Sequence, residues 1–249
     1  MKHDNILATR PNKVIYKDGD YVIKLFEKGY SKVLILNEAL NQAMVEETGL
    51  KIPKIQSVGM VDGCWSITMD YIPGKTLDQI IKENPDKKDD LLDKFVDLQL
   101  EMHTKTSARL NKLKDKLVSK IKSVEDIDAT TKYELLMRLE SMPKHNKLCH
   151  GDFVPSNIIV NDSGAYIIDW SHATQGNASV DTATTYLKMK LYYPDLAETY
   201  LRKFCQKSDT ALQYVQKWFS IVAAQQYITA NEEEKEFLYT WLDIIDYQG

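Results

Sequence analysis

Apolar and polar positions along this chain follow one period for about seventy residues and another afterwards. Residues 13–17 and 21–26 are β-branched and aromatic runs joined through Asp18-Gly19, a pattern that predicts a hairpin. From about 32 to 47, Leu36, Leu40 and Met44 recur every four residues, which predicts a helix, and Gly49 and Pro53 bracket its end. Residues 55–60 and 64–69 predict a second strand pair across Asp62-Gly63. Asp70-Tyr71-Ile72-Pro73-Gly74 then breaks the pattern and marks the expected boundary between residues 1–70 and residues 71–249.

From Leu77 the period is mainly helical. Leu92, Phe95, Val96, Gln99 and Met102 trace one face of a helix ending near His103, and Tyr133, Leu136 and Leu139 mark another over 129–140. Two short strands interrupt the series, 157–160 and 165–168, turned by Asn161-Asp162-Ser163-Gly164. Further helices are expected around 181–192, 195–207, 210–228 and 232–245. The expected fold is α+β, with a small β-rich N-terminal lobe and a larger, mainly helical C-terminal lobe.

Composition narrows the class. A chain of 249 residues with 43% hydrophobic and 27% charged residues can bury an ordinary globular core. Its 32 basic and 36 acidic residues leave a net charge of −4, which gives no reason to expect a nucleic-acid partner. Three scattered cysteines, Cys64, Cys149 and Cys205, suit reduced thiols rather than a disulfide framework. The first residues lack the apolar core of a signal peptide, and no apolar run reaches the roughly 18 residues of a membrane span. A soluble, cytoplasmic protein is expected.

The chemical content is concentrated in His150-Gly151-Asp152-Phe153-Val154-Pro155-Ser156-Asn157, with Asp169-Trp170 following at strand length. Phosphoryl transfer from a magnesium nucleotide needs such a set. One carboxylate receives a hydroxyl proton, and hard oxygen ligands hold the metal. Asn157 and Asp169 suit Mg2+, which leaves Asp152 as proton acceptor. His150, one histidine beside a glycine, reads as a hydrogen-bonded anchor of its loop, and Cys149 as a buried small hydrophobe.

The string from Leu148 to Asn157, followed by Ile167-Ile168-Asp169-Trp170, resembles the signature of the aminoglycoside phosphotransferase and choline kinase superfamily, H-G-D-x-x-x-x-N with a later I-D-W or I-D-F. That resemblance implies a bilobal protein-kinase-like fold, ATP as donor, catalytic Asp152 and metal-binding Asn157 and Asp169. It further implies that Lys24, in Tyr21-Val22-Ile23-Lys24-Leu25-Phe26, contacts the α- and β-phosphates. Glu38 would pair with Lys24, with Glu46 and Glu47 as competitors. Met69 to Gly74 resembles the hinge, so backbone groups near Met69 and Tyr71 would bind the adenine. Met102-His103 resembles a structural helix end of the family. Asp181 resembles an acid that braces the catalytic loop, beside the plainer reading of a helix cap.

The chain also departs from the family. Residues 8–13, over the expected nucleotide phosphates, contain no glycine, and Pro11 removes one amide donor, although Arg10 or Lys13 could supply charge. Nothing resembles a serine-threonine activation segment, so the expected acceptor is a hydroxyl of a small molecule, of the aminoglycoside, choline, thiamine, sugar or amino alcohol class, rather than a protein. His172, just after Asp169, is a candidate acceptor contact. Trp218, Trp241 and Tyr247 could form a cage for a quaternary ammonium, but Trp218, Phe219, Val222 and Ala223 fall at the helical spacing of a core stripe. Asn231 to Glu236 reads as a solvated helix start or, alternatively, as a contact for a cationic substrate. Two other functional readings remain open here: a catalytically silent nucleotide-binding scaffold, and a metal-dependent phosphohydrolase using His150, Asp152 and Asp169.

Overall fold

A computed structural model of the chain describes residues 5–242. The fold is α+β, with a sheet in the N-terminal region and helices in the C-terminal region. Five antiparallel strands, β1 (Ile6–Arg10), β2 (Lys13–Asp18), β3 (Tyr21–Phe26), β4 (Ile55–Val61) and β5 (Cys64–Asp70), form a sheet of order β1-β2-β3-β5-β4. Both expected hairpins are present. β1 was not among the named strands; it pairs with β2, only Pro11-Asn12 turn between them, and Arg10 pairs with Lys13 across that turn.

Helix α1 (Lys32–Glu46) packs on this sheet, with Ile35 and Ala39 meeting Phe26, Ile67 and Met69. The expected stripe of Leu36, Leu40 and Met44 is not its buried face. Leu36 and Leu40 are exposed, and Ile35, Ala39, Gln42 and Val45 are buried instead. Apolar residues lie on both sides of this helix, so spacing alone does not choose the side that faces the sheet.

The remaining elements follow in chain order: β6 (Lys75–Thr76), α2 (Leu77–Glu83), α3 (Lys88–Thr104), α4 (Leu113–Ser123), α5 (Ala129–Ser141), β7 (Lys147–Cys149), β8 (Ile158–Asn161), β9 (Gly164–Ile167), β10 (Thr174–Gly176), α6 (Ala178–Tyr192), α7 (Pro194–Ser208), α8 (Leu212–Gln216), α9 (Phe219–Tyr227) and α10 (Glu232–Tyr239). The expected helix over 210–228 is two helices, and the one expected over 232–245 ends at Tyr239; residues 243–249 lie outside the described residues. On α5 the buried residues are Leu135 and Leu139, whereas Tyr133 is exposed.

Packing divides the chain into two units. One holds the described residues up to Ile80 together with Ser156–Ala173, and the other holds Ile81–Pro155 with the residues from Thr174 on. This grouping differs from a single cut at residue 70, because the hairpin of β8 and β9 packs with the sheet-bearing unit. There β8 pairs with β6, and Gly74, at φ 149°, lies so close to Val160 that a Cβ would meet its carbonyl oxygen at 2.5 Å.

In the second unit, α6 and α9 are buried almost all round, as central helices require. The α3 face expected from spacing is buried as expected. Phe95 packs against Phe153 at 4.6 Å and Tyr200 at 5.7 Å between ring centres. Gln99, polar within that face, accepts from the Tyr200 hydroxyl at 2.6 Å and donates to Thr185 at 3.2 Å, so its burial is matched by hydrogen bonds. No helix among the described residues is long and apolar enough to cross a membrane.

Candidate active site

Within the sheet-bearing unit, three of the expected residues meet. Lys24 points from β3 with only 6% of its surface exposed, and its ammonium lies 2.6 Å from Glu38 Oε1 of α1 and 3.0 Å from Asp169 Oδ1. Burial acts to lower the affinity of this amine for its proton. The carboxylates of Asp169 and Glu38 more than offset that effect and raise it above the ordinary lysine value, so the group stays charged. Glu38 also takes both oxygens to Lys13 of β2, at 3.1 and 3.2 Å. Of its competitors, Glu46 instead accepts the Ile55 amide at 2.7 Å and closes the entry to β4.

Asp169 follows β9 in the left-handed region, at φ 64° and ψ 64°, one of three non-glycine residues with positive φ among those described. Such a backbone is held by its surroundings. The single helical turn Trp170–His172 comes next, with the Trp170 indole donating to the Ile167 carbonyl at 3.0 Å and Asn41 of α1 donating to the Ser171 carbonyl at 3.0 Å. Asn157 ends the helical turn just before β8, and its carbonyl accepts from the Ile168 amide at 2.9 Å, which puts it across the hairpin from Asp169. Asn157 and Asp169 together offer amide and carboxylate oxygens. No group of three or more His, Cys, Asp or Glu placed to hold a metal ion occurs among the described residues. An oxygen pair of this kind fits Mg2+, which draws its other ligands from water and phosphate.

Met69 and Tyr71 occupy different settings. The Met69 side chain belongs to the core under α1. The Tyr71 amide donates to Asp20 at 2.9 Å, so any adenine contact at this residue falls to its carbonyl. His172 is exposed at the end of its turn.

The second unit holds the other half of the motif. Cys149 ends β7, which pairs with β10, and His150 is fully buried, accepting the Asp152 amide on Nδ1 at 3.1 Å. Gly151, at φ 77°, donates its amide to Asp181 Oδ1 at 2.7 Å, while Asp181 Oδ2 lies 3.0 Å from His103 Nε2. Asp181 therefore ties the end of α3 to the loop that carries Asp152, and Asn177 caps α6 instead, accepting the Ser179 amide at 2.9 Å. Burial would raise the Asp181 carboxyl; the His103 contact and the Gly151 amide hold it below the usual carboxylate range. The Cys149 thiol is pushed well up by burial and by Asp181, which leaves it inert.

The Asp152 carboxylate accepts a hydrogen bond from Lys188 of α6. One turn further, Tyr192 bonds Glu234 of α10, whose capping box with Asn231 accounts for the acidic start of that helix. Neither Lys188 nor Tyr192 was expected at the site; their four-residue spacing on a long helix was the available signal. Trp218 is core, and Trp241 packs edge-on against Tyr186 and Phe219 at 6.0 and 5.3 Å, so both serve packing. Tyr247, the third member of the possible cage, lies outside the described residues.

A family model for the phosphotransferase enzyme family matches residues 11–215, most of the chain, including Lys24, Glu38, Asp152, Asn157, Asp169, Asp181 and Lys188. The chain belongs to the phosphotransferase enzyme family. Its fold is shared by solved structures at low identity. A thermostable mutant of aminoglycoside phosphotransferase APH(4)-Ia, in ternary complex with ADP and hygromycin B, superposes with a TM-score of 0.69 at 13% identity, covering 95% of this chain and 89% of that one. Amicoumacin kinase hAmiN, in complex with AMP-PNP, Ca2+ and Ami, gives 0.60 at 13% identity over 96% and 86% of the two chains. A choline/ethanolamine kinase family protein from Mesorhizobium loti gives 0.60 at 13% identity over 96% and 85%. No curated protein matches this phosphotransferase in sequence.

Proposed function

We propose that this phosphotransferase moves the γ-phosphate of ATP to a hydroxyl of a small molecule, with Mg2+ as the nucleotide's cation. The observation that carries the reading is the buried Lys24 ammonium held between Glu38 and Asp169. A fixed, fully charged amine beside an oxygen pair suits polyphosphate and has little use in a phosphohydrolase. The nucleotide and substrate complexes formed by the structural neighbours agree with this reading.

In this scheme Lys24 contacts the α- and β-phosphates. Asn157 and Asp169 supply oxygen ligands to Mg2+, which when bound neutralises phosphate charge. The acceptor oxygen forms its bond to Pγ as the bond from Pγ to the β-phosphate oxygen breaks, ADP leaves, and the hydroxyl proton passes to Asp152. His150 and Asp181 hold the Asp152 loop in place. Because such transition states are loose, positioning and charge contribute more than the strength of the base. The adenine meets backbone groups near Met69 and Tyr71, and His172, exposed just after Asp169, contacts the acceptor. The three unpaired thiols suit a reducing, cytoplasmic setting.

A coupled assay of ATP consumption across hydroxylated amines, sugars, polyols and hydroxy acids tests the proposal. Acceptor-dependent ADP release is expected with at least one class. Nucleotide binding with no ADP release above buffer across the panel would instead favour a silent scaffold, and phosphate release from phosphoesters without nucleotide would favour a hydrolase.

A further inference from the structure

Within its unit Asp152 is paired with one basic side chain, Lys188. The Lys188 ammonium carries three N–H donors, and among the described residues its one hydrogen-bond partner is Asp152. Both side chains are about a quarter exposed, so an incoming molecule can reach them. The neighbouring acid is already engaged: Glu234 takes the Tyr192 hydroxyl on Oε1 and the Asn231 amide on Oε2. Lys116 of α4 lies within electrostatic reach of both Lys188 and Lys120; burial and those like charges push its ammonium down to about 8. Asp181, an acid in reach of Lys116, is committed to His103 and Gly151.

We infer that Lys188 selects the acceptor, favouring hydroxyl compounds that carry a carboxylate or phosphate near the reacting hydroxyl over amines and quaternary ammonium compounds. The inference rests on the reading of Asp152 as proton acceptor. A hydroxyl that gives its proton to Asp152 must come within hydrogen-bond distance of that carboxylate, and so within a few ångströms of the Lys188 ammonium. An anionic substituent there accepts from that ammonium in charge-assisted bonds. A cationic one meets a like charge, and even partial screening leaves a difference of about tenfold or more.

Matched acceptors on one carbon skeleton test this: glucosamine, glucose and glucuronate, and serinol, glycerol and glycerate, each assayed with Mg·ATP by ADP release. For the unaltered chain the acid member should exceed the amine in kcat/KM by about tenfold or more. Lys188→Arg should keep that order, Lys188→Gln should flatten it, and Lys188→Glu should reverse it through the acceptor KM. A preference for the amine, an order unchanged in Lys188→Glu, or no turnover of any acid member while Mg·ATP still raises the melting temperature would overturn the inference alone. No effect of Mg·ATP on melting, together with no turnover, would remove the phosphotransferase reading and the inference with it.

Discussion

The Lys24 ammonium lies 3.0 Å from Asp169 Oδ1, although the two residues are 145 positions apart in sequence. With Glu38 at 2.6 Å, the contact joins β3, α1 and the end of β9 through one buried charge.

Lys24→Met removes a charge that two carboxylates share. Each charge-assisted hydrogen bond contributes about 1.5–3 kcal/mol, so kcat/KM for ATP should fall at least about a hundredfold. Glu38→Gln leaves Asp169 in place and should lose only about tenfold. Steady-state kinetics against ATP, with melting by Mg·ATP in parallel, checks the order; equal losses would show that Asp169 does not hold the amine.

Asp181 joins His103 to Gly151 inside the second unit, so Asp181→Ala should destabilise the fold by about 3 kcal/mol at neutral pH, as breaking a buried pair does. The pH dependence has a definite sign. The carboxyl is held below its ordinary value in the folded chain, so its contribution is fully present above about pH 4, the unfolded value, and is lost as pH falls through the lower folded value. Urea unfolding from pH 7 down to pH 3 should show the gap between the two chains constant at first and narrowing only below about pH 4. A gap that widened on acidification would contradict this assignment.

The three cysteines should react unequally with a thiol reagent. Cys149 is fully buried with its thiol raised well above the ordinary value, whereas Cys64 and Cys205 are half-buried. Two thiols should titrate in the native protein and the third only on unfolding. Rapid modification of Cys149 in native protein would show that β7 opens.

Four of the five strands of the sheet and the motif residues were legible in the sequence because turn chemistry and fixed spacing act locally. Asp18-Gly19 and Asp62-Gly63 mark their hairpins, and the eight residues from His150 form one loop. The buried face of α1 was not legible, since apolar residues lie on both sides of that helix. Helix α4 went unnoticed among its lysines although Leu113, Leu117 and Ile121, all buried, repeat every four residues. Lys188 and Asp181 were harder still. One bonds Asp152 and the other Gly151 through tertiary contacts spanning 36 and 30 residues, which no local period records. The Asp181 reading drawn from family resemblance agrees with the geometry, while the local reading of a helix cap belongs to Asn177.

Asp152→Asn bears most directly on the proposed chemistry, since it keeps the size of the side chain and removes its ability to take a proton. With the acceptor identified by ATP consumption, Mg·ATP should still raise the melting temperature as in the unaltered chain, while kcat should fall by about 10²–10⁴-fold. Undiminished phosphoryl transfer by Asp152→Asn would contradict the assignment of Asp152 as the group that receives the acceptor's proton.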